Sequence, residues 1–144
     1  MSNVQISEQL IFSEEVANAL RRLLPLLSSS ATLPSDEDVR EILVAQSSHL
    51  LVASDGDRIL GFLTLVVCPI PTGVRAWIED IIVDSDARGK GIGEKLRNFA
   101  LEMAKNLGDR TVELTSRPSR EAANRLYKRL GFVERDTNIY RFTI

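Results

Sequence analysis

The chain of 144 residues holds one cysteine, one histidine and one tryptophan, and aromatic residues make up only 6% of it. Each scarcity removes a class of protein. A lone Cys68 cannot close an internal disulfide, so no cross-linked framework carries the fold. Cys68 and His49 together fall short of the four ligands of a structural Cys/His zinc site, and no metal is expected. No apolar run approaches the roughly 20 residues that span a bilayer, so no membrane partner is expected. The first ten residues, MSNVQISEQL, contain no basic stretch followed by an apolar one, and a cytoplasmic protein is the expectation. A net charge of -2 argues against general nucleic-acid binding.

What is present suits a folded enzyme-sized domain. Hydrophobic residues make up 44% of the chain and charged residues 26%, the balance of an ordinary globular core with a solvated surface. The length fits a single domain over residues 1–144. The modest net charge hides a division. Residues 1–85 carry 5 basic and 12 acidic side chains, a balance of -7, and residues 86–144 carry 13 and 8, a balance of +5. Such a split suits a protein that handles a cation with one part and an anion with another.

Periodicity orders the elements. Asn3–Ser7 reads as a short strand. Val16, Leu20, Leu23, Leu24 and Leu27 fall on one helical face, with Pro25 expected to end or kink the helix. Ser35 followed by Asp36, Glu37 and Asp38 predicts a second helix start, with Val39, Ile42 and Leu43 as its apolar face. His49–Ala53, Ile59–Val67 and Val74–Val83 read as three antiparallel strands, separated by Asp55-Gly56 and by a turn region from Cys68 to Gly73. Ile92, Leu96, Phe99, Ala100, Met103 and Leu107 predict a long helix closed by Gly108. A strand over Thr111–Thr115, a helix capped by Ser119 and running through Leu130, and strands at Phe132–Glu134 and Ile139–Thr143 complete the order. The expected class is α/β: a mixed, mostly antiparallel sheet of six or seven strands, splayed between its central strands, with about four helices on both faces.

The stretch Arg88-Gly89-Lys90-Gly91-Ile92-Gly93 lies between the third antiparallel strand and the long helix. Glycines let a backbone approach a ligand, and the free N–H groups and positive dipole end of the next helix attract an anion. The combination suits a pyrophosphate, with Arg88 and Lys90 adding charge at its mouth. The stretch lacks the Gly-Lys-Ser/Thr ending of a nucleotide P-loop. A dinucleotide-binding reading has Glu113 at a suitable distance. Its glycine spacing is wrong, and the preceding elements are an antiparallel meander rather than a βαβ unit.

Arg88, Gly91 and Gly93 in this order, with Asn124-Arg125-Leu126-Tyr127 and then Gly131-Phe132 downstream, make the chain similar to the GNAT superfamily of acetyl-CoA-dependent N-acetyltransferases. The resemblance covers nearly the whole chain. It implies direct transfer of acetyl from acetyl-CoA to a primary amine of an unidentified acceptor. It further implies that the backbone of Arg88, Gly89, Lys90, Gly91, Ile92 and Gly93 holds the pyrophosphate. The edge Ile81-Ile82-Val83 would pair with the pantetheine arm as an added strand. Asn124 would bond the pantetheine, Tyr127 would protonate the departing thiolate, and Arg129 or Lys128 would meet the adenosine 3′-phosphate. A non-catalytic acyl-CoA-binding regulatory module of the same fold is the rival class.

The proton acceptor is sought on the central strand. Glu79 is the first candidate and Asp80 the next, and simple alternation puts them on opposite faces unless a bulge intervenes. Trp77 suits either the acceptor pocket or the core. Cys68 has no neighbours that make it a nucleophile, His49 reads as structural, and the acids from Asp36 to Glu41 read as a solvated helix start. The strand edges could support a homodimer.

Overall fold

The computed structural model describes residues 3–144. Two serines set its first helices. The Ser13 side chain accepts a hydrogen bond from the Val16 N–H and opens α1 (Glu14–Leu27), whose buried face is Val16, Ala17, Ala19, Leu20 and Leu23. Pro25 does not stop the helix, which runs on through the last turn to Leu27 and is closed by the Ser28 N–H on the Leu24 carbonyl. Ser35 forms a full capping box for α2 (Asp36–Val44). Its hydroxyl accepts from the Asp38 N–H at 3.1 Å, and the Asp38 carboxylate accepts from the Ser35 N–H at 2.9 Å. The backbone bond from Ser35, more than its hydroxyl, holds the Asp38 carboxyl below its ordinary value. The acid-rich helix start is thus occupied with its own cap, and Arg21 pairs with Asp36 at 3.0 Å.

Five strands form one sheet in the order β1 (Val4–Glu8), β2 (Ser48–Asp55), β3 (Arg58–Ile70), β4 (Gly73–Val83) and β5 (Val112–Glu113). The first three pairings are antiparallel and β4–β5 is parallel. Two-residue turns, Gly56-Asp57 and Pro71-Thr72, join β2 to β3 and β3 to β4. Strand β3 therefore passes through Cys68 and Pro69, where a turn region is expected from sequence. The Val67 N–H reaches the Ser47 carbonyl at 2.9 Å, and β2 has no residue beyond for position 69, so the missing N–H of Pro69 costs no ladder bond. His49 bonds Glu8 across β2 and β1 at 2.8 Å, a structural role.

The sheet is covered on both faces. Phe62 and Ile82, paired across β3 and β4, join Leu50, Val52 and Ile59 in a core with Val16, Leu20 and Leu23 of α1 and Val39 of α2. Gly61 points to the opposite face, where α3 (Ile92–Asn106) buries Ile92, Leu96, Ala100 and Ala104 at helical spacing.

The chain divides into two compact units, one ending at Leu114 and one spanning Thr115–Ile144. In the second, α4 (Glu121–Arg129) starts after Arg120, which makes no side-chain cap, rather than at a cap from Ser119. Asn124 takes part in the start instead, donating from Nδ2 to the Arg117 carbonyl at 2.9 Å. The helix ends in a Schellman motif: Phe132 N–H on the Tyr127 carbonyl at 3.0 Å, Gly131 N–H on the Lys128 carbonyl at 3.1 Å, and Gly131 at φ +97°.

The expected six or seven strands reduce to five among the described residues. Phe132–Glu134 and Ile139–Thr143 pair with no strand, and Thr111–Thr115 shrinks to Val112–Glu113. Alternating apolar residues suit a strand only where a neighbour supplies a ladder. Here Val133, Ile139, Tyr140 and Phe142 stay exposed.

Gly61 has no side chain for a spatial reason. A Cβ built there would lie 2.7 Å from the Ile82 carbonyl oxygen on β4. Gly61→Ala should force the strands apart and lower stability by about 1–3 kcal/mol, read as a reduced midpoint in chemical denaturation. An unchanged midpoint would show that β3 and β4 are not in this tight contact.

Candidate active site

Strand β4 carries one residue more than β3 can pair. Thr64 faces Glu79 and Phe62 faces Ile82, so the single Leu63 stands opposite both Asp80 and Ile81. This is a β-bulge, and Asp80 holds it in the left-handed region with φ +56°. Aspartate is among the few non-glycine residues that tolerate this conformation. The bulge changes the faces of the two candidate acids. Glu79 pairs with Thr64, two positions from Phe62, so it shares the α1 and α2 face with Ile82. Asp80 is the inserted residue, outside the regular alternation.

Both acids are exposed, but their settings differ. Surrounding protein partly desolvates the Asp80 carboxyl and raises it above the ordinary aspartate value. A carboxylate with raised affinity for a proton, next to distorted backbone, is a better proton acceptor than an ordinary aspartate.

The far side of β4 is open. Its parallel ladder with β5 consists of Ala76 with Val112 and Trp77 with Glu113, so among the described residues β4 has no partner on that side from Ile78 to Val83. Ile81 and Val83 therefore present backbone groups on an unpaired edge, while the Ile82 carbonyl faces Gly61 on β3, and the three side chains are partly or wholly buried. An extended chain of amide groups could lie along such an edge.

Past Val83 the chain is pinned. Asp84 is 5% exposed, and its carboxylate accepts from Arg22 Nη1 at 2.6 Å and from the Asp86 N–H at 3.1 Å. Its own N–H donates to the Leu60 carbonyl at 2.7 Å, while Arg22 Nη2 donates to the Ile59 carbonyl at 3.0 Å. Arg58 lies within 4.0 Å of the same carboxylate. The Arg22 hydrogen bond, foremost, holds the Asp84 carboxyl below its usual value. Half of the Arg22 side chain is in solvent, so water screens this pair and its weight is that of a positioned surface contact rather than of a deeply buried ion pair. The contact fixes where a short 3₁₀ turn (Ser85–Ala87) begins and hence where the glycine loop is launched.

In that loop Arg88, Gly89, Lys90 and Gly91 are exposed, while Ile92 is buried beneath α3 and Gly93 partly so. Gly91 caps α3 at φ +76° with no side-chain hydrogen bond to the helix start. A Cβ on Gly91 would meet nothing within 4 Å, so glycine is required by its backbone conformation and not by crowding. The first-turn N–H groups of α3 are left for an anion. Glu94 stands in that turn, with Arg97 at 3.8 Å from it.

The second unit places Asn124 and Tyr127 one turn apart on α4, both partly exposed, with Arg129 exposed at its end. The Asn124 Nδ2 is engaged by Arg117, which leaves its Oδ1 for a donor. The Tyr127 and Phe132 rings meet edge to face at 6.1 Å, the apolar contact that accompanies a Schellman motif. Part of the Tyr127…Gly131-Phe132 pattern therefore has a folding cause. Sequence reasoning missed Gly61, Arg22 and the anchoring role of Asp84. Only the glycine among apolar β3 residues offered a signal for the first, and none existed for a pair 62 positions apart.

A mixed sheet with an unpaired stretch of β4, followed by a glycine-capped helix start, is the geometry of the candidate site. The family model of the acetyltransferase (GNAT) family matches residues 14–132. The chain belongs to that family. An uncharacterized N-acetyltransferase of Methanocaldococcus jannaschii is 49% identical over 61 residues, 42% of this chain and 27% of that protein. N-alpha-acetyltransferase 30 of Schizosaccharomyces pombe is 30% identical over 128 residues, covering 85% of this chain and 83% of its own length. An L-2,4-diaminobutyric acid acetyltransferase of Shouchella clausii is 30% identical over 73% of this chain, which spans 60% of that enzyme. The aminoglycoside N-acetyltransferase AAC(6′)-Iy, solved in complex with CoA, superposes with a TM-score of 0.83 at 19% identity over 99% of this chain and 96% of its own, a likeness of fold. Among the described residues no helix is long and apolar enough to cross a membrane, and no three His, Cys, Asp or Glu residues gather as a metal site.

The Asp84 contact has a definite pH signature. The fold favours the ionised form, so its support is complete above the unfolded aspartate value, near 4, and is lost as pH falls through the lower folded value. Asp84→Asn should lower Tm at neutral pH, and its deficit against wild type should shrink in strong acid. A deficit that stays constant with pH would contradict the account.

Proposed function

We propose that the chain transfers acetyl from acetyl-CoA to a primary amine, its two units acting as one transferase domain. The observation that carries this reading is the open β4 edge from Ile78 to Val83, leading directly into a glycine-capped helix start. The pyrophosphate sits on the N–H groups of residues 88–93, with Arg88 and Lys90 beside it. The pantetheine amides pair with Ile81, Ile82 and Val83 as a short added strand, and Asn124 bonds the arm through its free Oδ1. Arg129 or Lys128 meets the 3′-phosphate. The CoA complex of a protein with the same fold is consistent with this donor.

Asp80 takes the proton-accepting role ahead of Glu79, because it stands in the bulge beside the open edge and partial desolvation raises its carboxyl. The ammonium of the acceptor gives a proton to Asp80 directly or through water. The neutral nitrogen attacks the thioester carbonyl, whose oxygen is polarised by a backbone N–H on the β4 edge. The C–N bond forms, the C–S bond breaks and the thiolate takes the phenolic proton of Tyr127, while the second amine proton leaves the nitrogen through water to restore that phenol and Asp80 returns its proton to solvent. Curated relatives are an N-alpha-acetyltransferase and an L-2,4-diaminobutyric acid acetyltransferase by their names, so α-amines and diaminobutyric acid both belong in a screen.

Thiol release from acetyl-CoA across a panel of amines tests the reading, with Asp80→Asn beside wild type. Amine-dependent release is expected, rising with pH as Asp80 ionises, and the asparagine variant should lose that acid limb and most of its turnover. Tight acetyl-CoA binding with no thiol release for any amine would favour the regulatory module instead.

A further inference from the structure

Strand β4 also carries Arg75 and Trp77, to which the acetyl-transfer reading gives no role. Positions 75, 77 and 79 alternate onto one face, since Arg75 pairs with Cys68, Trp77 with Val66 and Glu79 with Thr64. This is the face shared with Phe62, Ile82, α1 and α2. Arg75 is exposed, and it lies against its strand neighbour on this face. Its guanidinium carbon stands 5.4 Å from the centre of the Trp77 ring. No carboxylate lies within 4.0 Å of Arg75 among the described residues. An arginine stacked on an aromatic ring is held in place while its planar edge stays available for two parallel hydrogen bonds. The position of Trp77 lies about 7 Å along the strand from Glu79, two residues of rise.

We propose that Arg75, laid over Trp77 on the same face as Glu79, is an anion-recognising subsite, and that the acceptor is a primary amine that also carries a carboxylate. Glu79 draws in the ammonium end, and Arg75 receives the carboxylate as a bidentate, charge-assisted pair. Two opposite charges on one face suit an amino acid whose reacting amine is on its side chain, because its methylenes hold the ammonium apart from the carboxylate. A bare diamine leaves Arg75 unpaired, and an acidic acceptor without an amine has nothing to acetylate. The proposal rests on the acetyl-transfer reading above and adds the substrate class.

Matched acceptors that differ by the carboxylate provide the test: 2,4-diaminobutyrate against 1,3-diaminopropane, ornithine against putrescine, and lysine against cadaverine. With wild type, at least one amino acid should exceed its diamine in kcat/KM by about tenfold or more, the worth of one hydrogen-bonded charge pair. Arg75→Gln should erase that preference by raising KM for the amino acid with kcat kept, and should leave the diamine unchanged. Arg75→Lys should restore part of it. The diamine reaction reports that the variant is folded and active. Equal use of both members of every pair by wild type, or an equal loss on both in Arg75→Gln, overturns the subsite while acetyl transfer stands. Absence of thiol release with every amine, these included, overturns both.

Discussion

The structure turns on one mismatch: β4 has two residues, Asp80 and Ile81, where β3 has only Leu63. The extra residue cannot be absorbed by regular pleating, so the strand bulges and twists there. Three features meet around that point. Asp80 is set in a left-handed conformation with a partly desolvated carboxyl. Glu79 stays on the α1 and α2 face with Trp77 and Arg75. The stretch beyond Trp77 runs clear of β5, whose ladder is only two residues long. The contact between Gly61 and the Ile82 carbonyl holds β3 close on the other side of the same point, so the irregularity is confined to one edge.

The rest of the first unit keeps that edge where a ligand can use it. The two-sided core fixes the sheet through Phe62 and Ile82 on one face and Leu96 on the other. Arg22 and Asp84 tie the end of β4 to α1, so the glycine loop leaves from a defined position. Gly91 turns the chain into α3 and exposes the helix N–H groups without a competing cap. Open edge and anion-attracting turn are consecutive in sequence, which is what a long donor carrying both amides and phosphates demands. The division between an acidic first part and a basic second part acquires a location in this way: Glu79 and Asp80 on the strand, Arg88 and Lys90 at the loop.

Much of this was legible from residue order. The α3 face, the Ser35 capping box and the glycine loop with its flanking cations are local patterns, and each formed as its local chemistry dictates. The bulge was legible only as a condition, because alternation in one strand says nothing of the register in its neighbour. The Arg22–Asp84 contact joins residues far apart in the chain, and neither has a local signature. The strands expected at Phe132–Glu134 and Ile139–Thr143 show the reverse error: apolar alternation marks what could pair, and a ladder needs a partner. Tyr127 illustrates a mixture, since its spacing to Gly131-Phe132 is explained partly by the helix end it helps to close.

The central claim is that the β4 edge is a donor-binding strand waiting for its partner. Amide hydrogen exchange measured residue by residue, with and without acetyl-CoA, reads it directly. Binding should slow exchange at Ile81 and Val83 and at the first turn of α3, while the already paired amides of β2 and β3 change little. Unaltered exchange at both places under saturating acetyl-CoA would contradict the account.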